Sequence, residues 1–267
     1  MDWLGGGLLA GTIAMLLLSI TSLAPWTFIG FVVLMAALVW RLSRAEEPFI
    51  RLSLFSNMRY TLGLGVGFMT TGIGYSLAFL TPTVLSEIHQ MGAGTAGWVL
   101  VPAAVFTALL SKMGGRAADR KGKRFLFFLA SVLYMICFFM MSSFTTGAPG
   151  ILALFLIFGT VGQAFMAISL TKTISLALPK DQSGVGLGLM SMLNFLSGAV
   201  FASMYGRMVD QGTSSAWNPL MAEQGAKVDT FSNIYLLLTV LMMAVAMIYA
   251  MGFMRRSKKG RGASSVG

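Results

Sequence analysis

Charge is scarce in this chain. Only 10% of its 267 residues are Asp, Glu, Lys or Arg, against about 25% in soluble domains. A chain of this length has no core large enough to hide a hydrophobic fraction of 56%. The composition therefore excludes a soluble globular protein and requires an integral membrane protein. The single Cys137 excludes an intrachain disulfide and implies no redox compartment. One histidine, His89, beside that one cysteine leaves almost no material for a transition-metal site. No metal or cofactor is expected. Acidic residues are about half as many as basic ones, nine against 19. The nine Asp and Glu fall in loops or at the ends of apolar runs, and none falls within one. Paired acids, a histidine cluster and an intramembrane nucleophile–base pair are all missing, which excludes the usual intramembrane enzymes.

Long apolar runs, by contrast, are abundant. About 20 apolar residues cross a hydrocarbon core, and the sequence holds eight such runs, roughly 3–20, 24–40, 60–81, 95–113, 125–142, 150–175, 184–205 and 231–253. A helix satisfies its backbone hydrogen bonds within one segment, and these runs lack the alternation of barrel strands. The expected fold class is an all-α polytopic membrane protein. The first run resembles a signal-peptide core only in length. Its sole preceding charge is Asp2, where a signal peptide carries basic residues, so it reads as a retained span.

The net charge of +10 alone would fit a nucleic-acid partner, but its distribution points to the bilayer. Arg41, Arg44, Arg51 and Arg59 lie between the second and third runs. Lys112, Arg116, Arg120, Lys121, Lys123 and Arg124 lie between the fourth and fifth. Lys172 and Lys180 flank the loop after the sixth, and Arg255, Arg256, Lys258, Lys259 and Arg261 form the tail. All of these fall on one face, leaving Arg207 and Lys227 for the other. The positive-inside rule then puts both termini in the cytoplasm. Outer loops are short, with Glu87 in one and Asp210, Glu223 and Asp229 in the last, about 206–230. Trp26, Trp40, Tyr60, Trp98 and Tyr205 fall near run ends, as interfacial anchors do. Pro82 and Pro102 are expected at or near span ends, where a missing hydrogen bond costs least.

The most informative segment is Gly115-Arg116-Ala117-Ala118-Asp119-Arg120-Lys121-Gly122-Lys123-Arg124, a charged ten-residue turn between two apolar runs. Its pattern, G-x-x-x-D-R-x-G-K-R, resembles the signature loop of the major facilitator superfamily of secondary transporters. Ala96-Gly97-Trp98-Val99-Leu100-Val101-Pro102 resembles the A-G-x-x-x-x-P opening of the preceding helix in drug-efflux members. Glu47-Pro48-Phe49-Ile50-Arg51-Leu52-Ser53-Leu54-Phe55 is similar to their P-L-x-x-L-x-L-F linker into the C-terminal six-helix half. Asp2-Trp3-Leu4-Gly5-Gly6 resembles the start of the extra helix pair in fourteen-span members. Thr171-Lys172-Thr173-Ile174-Ser175 and Leu193-Asn194-Phe195 are similar to segments of Gram-positive tetracycline efflux proteins.

The resemblance implies a division into an extra helix pair over 1–45, a cytoplasmic linker over 46–59, a six-helix transporter half over 60–255 and a basic tail over 256–267. It implies a drug-exporting, proton-coupled antiporter of the bacterial cell membrane, acting on amphipathic, drug-like small molecules. Six spans precede the extra pair in such proteins, so the sequence looks like roughly the C-terminal three-fifths of one. Its partner is then an N-terminal half or a second copy. The alternative is a truncated, transport-incompetent fragment. Gram-positive tetracycline antiporters carry acids within the membrane, including one in the helix that the seventh run matches. Here 194–205 offers none, so proton coupling falls to the other half and tetracycline is a doubtful substrate.

Gly115, Asp119, Arg120, Gly122, Lys123 and Arg124 form a latch closing the cytoplasmic side, by that resemblance. Gly115 would permit close helix approach and Gly122 a turn with positive φ, while Asp119 sits where helix N-terminal dipoles and arginines meet a carboxylate. The other reading is a solvated loop. The first helix of each three-helix repeat lines the cavity in this family, which points to the third and sixth runs. Polar residues at that depth are Thr70, Thr71, Tyr75 and Ser76 on the third, Thr160 and Gln163 on the sixth and Asn194 on the seventh. Gly63, Gly67 and Gly74 on the third run favour close packing. Thr71, Tyr75, Gln163 and Asn194 are the candidate substrate contacts; an interhelical hydrogen bond explains Gln163 and Asn194 as well. Lys172 reads as a snorkelling side chain before a counter-charge. The 21 methionines suit a promiscuous pocket but equally fill lipid-facing surface.

Overall fold

The computed structural model describes residues 3–22, 24–44, 52–179, 182–213, 215–219 and 225–262. These form eight α-helices and one short 3-10 turn, with no strand among the described residues. The helices are α1 (Trp3–Ser22), α2 (Pro25–Arg44), α3 (Met58–Glu87), α4 (Ala93–Arg120), α5 (Lys123–Ser143), α6 (Pro149–Ser175), α7 (Ser183–Gln211) and α8 (Ala226–Gly262), and the turn is Leu52–Ser56. All eight are long and apolar enough to span a bilayer. Each expected run therefore falls on one of the helices. Most of the linker motif, Glu47 to Arg51, lies outside the described residues, as do Asp2, Lys180 and Glu223.

Helices extend past the apolar runs where the sequence suggested loops. Pro82 is inside α3, which continues to Glu87, and Pro102 is inside α4. Proline removes one backbone donor and strains one turn, and the apolar neighbours on either side hold the helix through it. The ten-residue charged turn is a correction too. Gly115 to Arg120 form the last turns of α4, so only Lys121 and Gly122 connect it to α5. Basic residues at a helix C-terminus complement its dipole, which favours continuing the helix. Asp229, assigned to an outer loop, stands in the first turn of α8 and is 2% exposed.

α3 is the centre of a six-helix unit, with α6, α7 and α8 packed around it. Tyr205 donates to the Gly72 carbonyl (2.9 Å) and Ser197 to that of Phe68 (2.5 Å), joining α7 to α3. Thr107 donates to Thr160 (2.8 Å), joining α4 to α6. Ser142 and Ser232 donate to each other's carbonyls, each at 2.8 Å, joining α5 to α8, while Phe127 stacks on Tyr249 at 3.6 Å. Such polar contacts matter because lipid supplies no hydrophobic drive between helices. α1 and α2 pair with one another and meet the unit through α1 against α7. Trp3, Trp26, Trp40 and Trp98 are exposed, as interfacial anchors require, whereas Tyr60 and Tyr205 are buried and serve packing instead.

Candidate functional site: a helix hairpin and a polar cavity face

At one end of the unit, α4 and α5 join through the two-residue hairpin. Gly122 adopts φ +89°, a conformation costly for any residue with a Cβ. The Lys121 ammonium lies 4.7 Å from the centroid of Phe125. Asp119 meets neither a helix N-terminus nor an arginine. It pairs with Lys172, 53 positions on and in the last turn of α6. Lys172 therefore bonds a carboxylate rather than snorkelling alone. Around this pair, Ser169 of α6 donates to the Lys123 carbonyl (2.7 Å). Asn57 accepts from the Arg59 and Tyr60 amides and donates to the Ala177 carbonyl (2.6 Å). The Tyr60 hydroxyl donates to the Gly186 carbonyl (3.1 Å). The hairpin end is thus a clasp that draws together α3, α4, α5, α6 and α7.

Close approach comes from Gly114, not Gly115. A Cβ on Gly114 would lie 2.5 Å from Phe165 Cδ1, while one on Gly115 would meet nothing within 4 Å. One residue along a helix is a rotation of about 100°, so the two glycines face different surroundings.

The four candidate substrate contacts converge on about one turn of α3. Thr71 Oγ1 donates to Asn194 Oδ1 at 3.0 Å. One turn beyond Asn194, Gly198 sits under the Tyr75 ring, with 2.9 Å from a hypothetical Cβ to Tyr75 Cε2. Gln163 of α6 reaches the same turn from the other side, with Nε2 2.9 Å from the Cβ position of Gly74. The Tyr134 hydroxyl of α5, absent from the sequence-based set, also abuts Gly74. Thr70 and Ser76 point elsewhere: both are buried and donate to carbonyls of their own helix. Thr160 is spent on α4.

Tyr75 is 44% exposed, Gln163 is exposed, and Thr71 and Asn194 are half-buried. Gln163 has no hydrogen-bond partner among the described residues. Exposed positions recur along α3 at Gly65, Met69, Tyr75, Ala78, Pro82 and Ser86, and along α6 at Gln163, Ala167 and Thr171. Each set follows helical periodicity. Two neighbouring helices therefore present one open stripe each, with polar groups gathered at mid-height.

Carboxylates remain at helix ends. Among the described residues, Glu87, Asp119 and Asp210 lie in the last turns of α3, α4 and α7, and Asp229 in the first turn of α8. No group of three or more His, Cys, Asp or Glu able to hold a metal occurs among the described residues.

Comparison with known proteins gives this geometry its context. A model described as the Major Facilitator Superfamily matches residues 3–202. The chain belongs to the major facilitator superfamily. It is a multi-pass membrane protein of that family. It is 27% identical over 197 residues to "Lincomycin resistance protein LmrB" of Listeria innocua, covering 73% of this chain and 40% of that protein. It is 26% identical over 183 residues to "Probable multidrug resistance protein EmrY" of Escherichia coli, covering 67% and 35%. To "Multidrug export protein EmrB" of Escherichia coli it is 28% identical over 117 residues, covering 42% and 22%. The chain thus spans less than half the length of these curated relatives.

Proposed function

We propose that this chain acts in drug efflux as one half of a secondary transporter of the bacterial cell membrane, and that it is not an enzyme. The observation that carries the reading is the Asp119–Lys172 pair. It joins the signature hairpin to α6, the helix that also supplies Gln163 to the open face. Transporters alternate by rocking one helical half against another around a midplane site. A clasp of charges at the end of a cavity-wall helix is placed to favour one of the two faces.

The division suggested by the sequence serves this reading, with α1 and α2 as the extra pair and α3–α8 as the six-helix half. The small-molecule substrate would sit against Thr71, Tyr75, Gln163 and Asn194, amphipathic to suit a face of apolar side chains with few polar groups. The hairpin side is cytoplasmic by the basic-residue asymmetry. Both ends of the described chain are read as lying there too; successive helices crossing in alternation and the hydrogen bond from Arg207, near the far end of α7, to Thr21, near the end of α1, support this. With no carboxylate at mid-height on the described helices, the coupling proton is carried by a group outside this face, on a partner half. That partner is an N-terminal six-span half or a second copy. The names of the relatives, lincomycin resistance and multidrug export, support the substrate class.

Drug susceptibility of an efflux-deficient bacterium tests this. The chain is expressed alone and beside a six-span N-terminal half, each as wild type and Asp119→Asn at matched membrane abundance. Resistance in either setting that falls in the variant supports the proposal. Sensitivity in both settings, with the protein present in the membrane, refutes it and leaves a transport-incompetent fragment.

A further inference from the structure

A second site lies far from the hairpin. Where α1 meets α7, a cleft of about 340 Å³ opens between Ser19 and Ile20 on one side and Met204, Arg207, Met208 and Gln211 on the other. It stands at the helix ends opposite the hairpin, beside Ser22 and Gln211, the last residues of α1 and α7. That level is where phosphate groups of a bilayer leaflet lie. The walls are mainly apolar, and Arg207 is the one charged residue lining them.

Among the described residues Arg207 makes one hydrogen bond, donating from Nη1 to the Thr21 carbonyl at 3.2 Å. A guanidinium carries five N–H donors, and no carboxylate lies within 4 Å of this one among the described residues. Among the described residues it is one of two basic residues assigned to its face of the membrane, the other being Lys227, which pairs with Glu87 at 3.1 Å. A half-buried arginine with spare donors, set at headgroup depth above an apolar groove, has the chemistry of a phosphodiester site. Guanidinium binds phosphate in a fork geometry that carboxamides and hydroxyls cannot reproduce.

We propose that this cleft binds one anionic phospholipid of the leaflet opposite the hairpin, its phosphate on Arg207 and the start of an acyl chain along Ile20, Met204 and Met208. The cleft falls at the small end of the range for ligand sites, about 300–1,000 Å³, and so holds the head and first methylenes while the remaining chain stays in the bilayer. The lipid fills the seam between the α1–α2 pair and the six-helix unit, where α1 otherwise rests on α7 alone among its larger contacts. The site is independent of any transport activity.

Native mass spectrometry of the full chain, extracted from membranes containing phosphatidylglycerol or phosphatidylcholine, tests this. One retained phosphatidylglycerol per chain is expected, with phosphatidylcholine retained about tenfold less. Arg207→Gln should abolish the preference, while Lys227→Gln should keep it. Met208→Trp, which fills the cleft and leaves Arg207 in place, should lower retention of both lipids. Equal retention of the two lipids by wild type, or an undiminished preference in Arg207→Gln, overturns the proposal. So does full displacement by excess inorganic phosphate, which would make this a site for free phosphate. Displacement by an amphipathic drug without any lipid preference would instead assign the cleft to drug binding and overturn it too.

Discussion

At the residue scale, the chain concentrates its few special side chains at two heights. At the hairpin end, Asp119 is 71% exposed, so its pair with Lys172 is screened by water. Exposed ion pairs contribute about 0–1 kcal/mol to stability. Lys172→Gln is therefore expected to leave thermal unfolding in detergent nearly unchanged while lowering drug resistance in cells. A large loss of stability would instead make the pair structural. Gly122 behaves oppositely. At φ +89° any side chain is strained, by about 1–3 kcal/mol, so Gly122→Ala should lower the unfolding midpoint measurably, and an unchanged midpoint would contradict the described turn. The two neighbouring glycines of α4 separate cleanly in the same assay. Gly114→Val drives a side chain into Phe165 and should cost about 1–3 kcal/mol, whereas Gly115→Ala should be neutral or stabilising, since Ala is the better helix former.

Much at this scale was legible in the sequence, and the misses have physical causes. Gly122 was visible because glycine, lacking a Cβ, takes the positive φ that a tight turn between two helices needs. The choice between Gly114 and Gly115 was not, because a motif fixes spacing and the neighbouring helix fixes which side is crowded. Lys172 was read as snorkelling because nothing local links it to Asp119, and only the packing of α4 against α6 brings the two together. Thr71 and Asn194 stand out in the sequence for their depth, and an interhelical hydrogen bond is one of the two readings open for Asn194; that its partner is Thr71 is visible only in the packing of α3 against α7.

At the element scale, run lengths gave the helices and charge obscured their ends. The hairpin looked like a loop because six of its ten residues are Lys, Arg or Asp; those side chains reach water from a continuing helix as well as from a loop. The open stripes of α3 and α6 could not be foreseen, because both helices are apolar nearly all round. Their exposure depends on where α7 and α8 are packed. Cysteine labelling tests the stripe directly, since the native Cys137 is buried. Gln163→Cys is expected to react with a water-soluble maleimide, and Val132→Cys, exposed on α5 away from the stripe, to react at least about tenfold more slowly because lipid shields thiolate formation. Equal rates would mean that the stripe faces lipid.

At the scale of the whole molecule, six helices form a packed unit whose polar mid-height face lies open, and two more lean against it. The chain belongs to the major facilitator superfamily, and the Asp119–Lys172 pair ties the α4–α5 hairpin to α6, one wall of that open face. Energised efflux of an amphipathic cationic dye tests this most directly, measured with the six-span partner half present. Four proteins are compared at matched abundance: wild type, Asp119→Lys, Lys172→Asp and the double exchange. The account predicts efflux by wild type, loss in each single variant through like-charge contact, and substantial recovery in the double exchange. Equal efflux by all four, or a double exchange no better than the single variants, would contradict it.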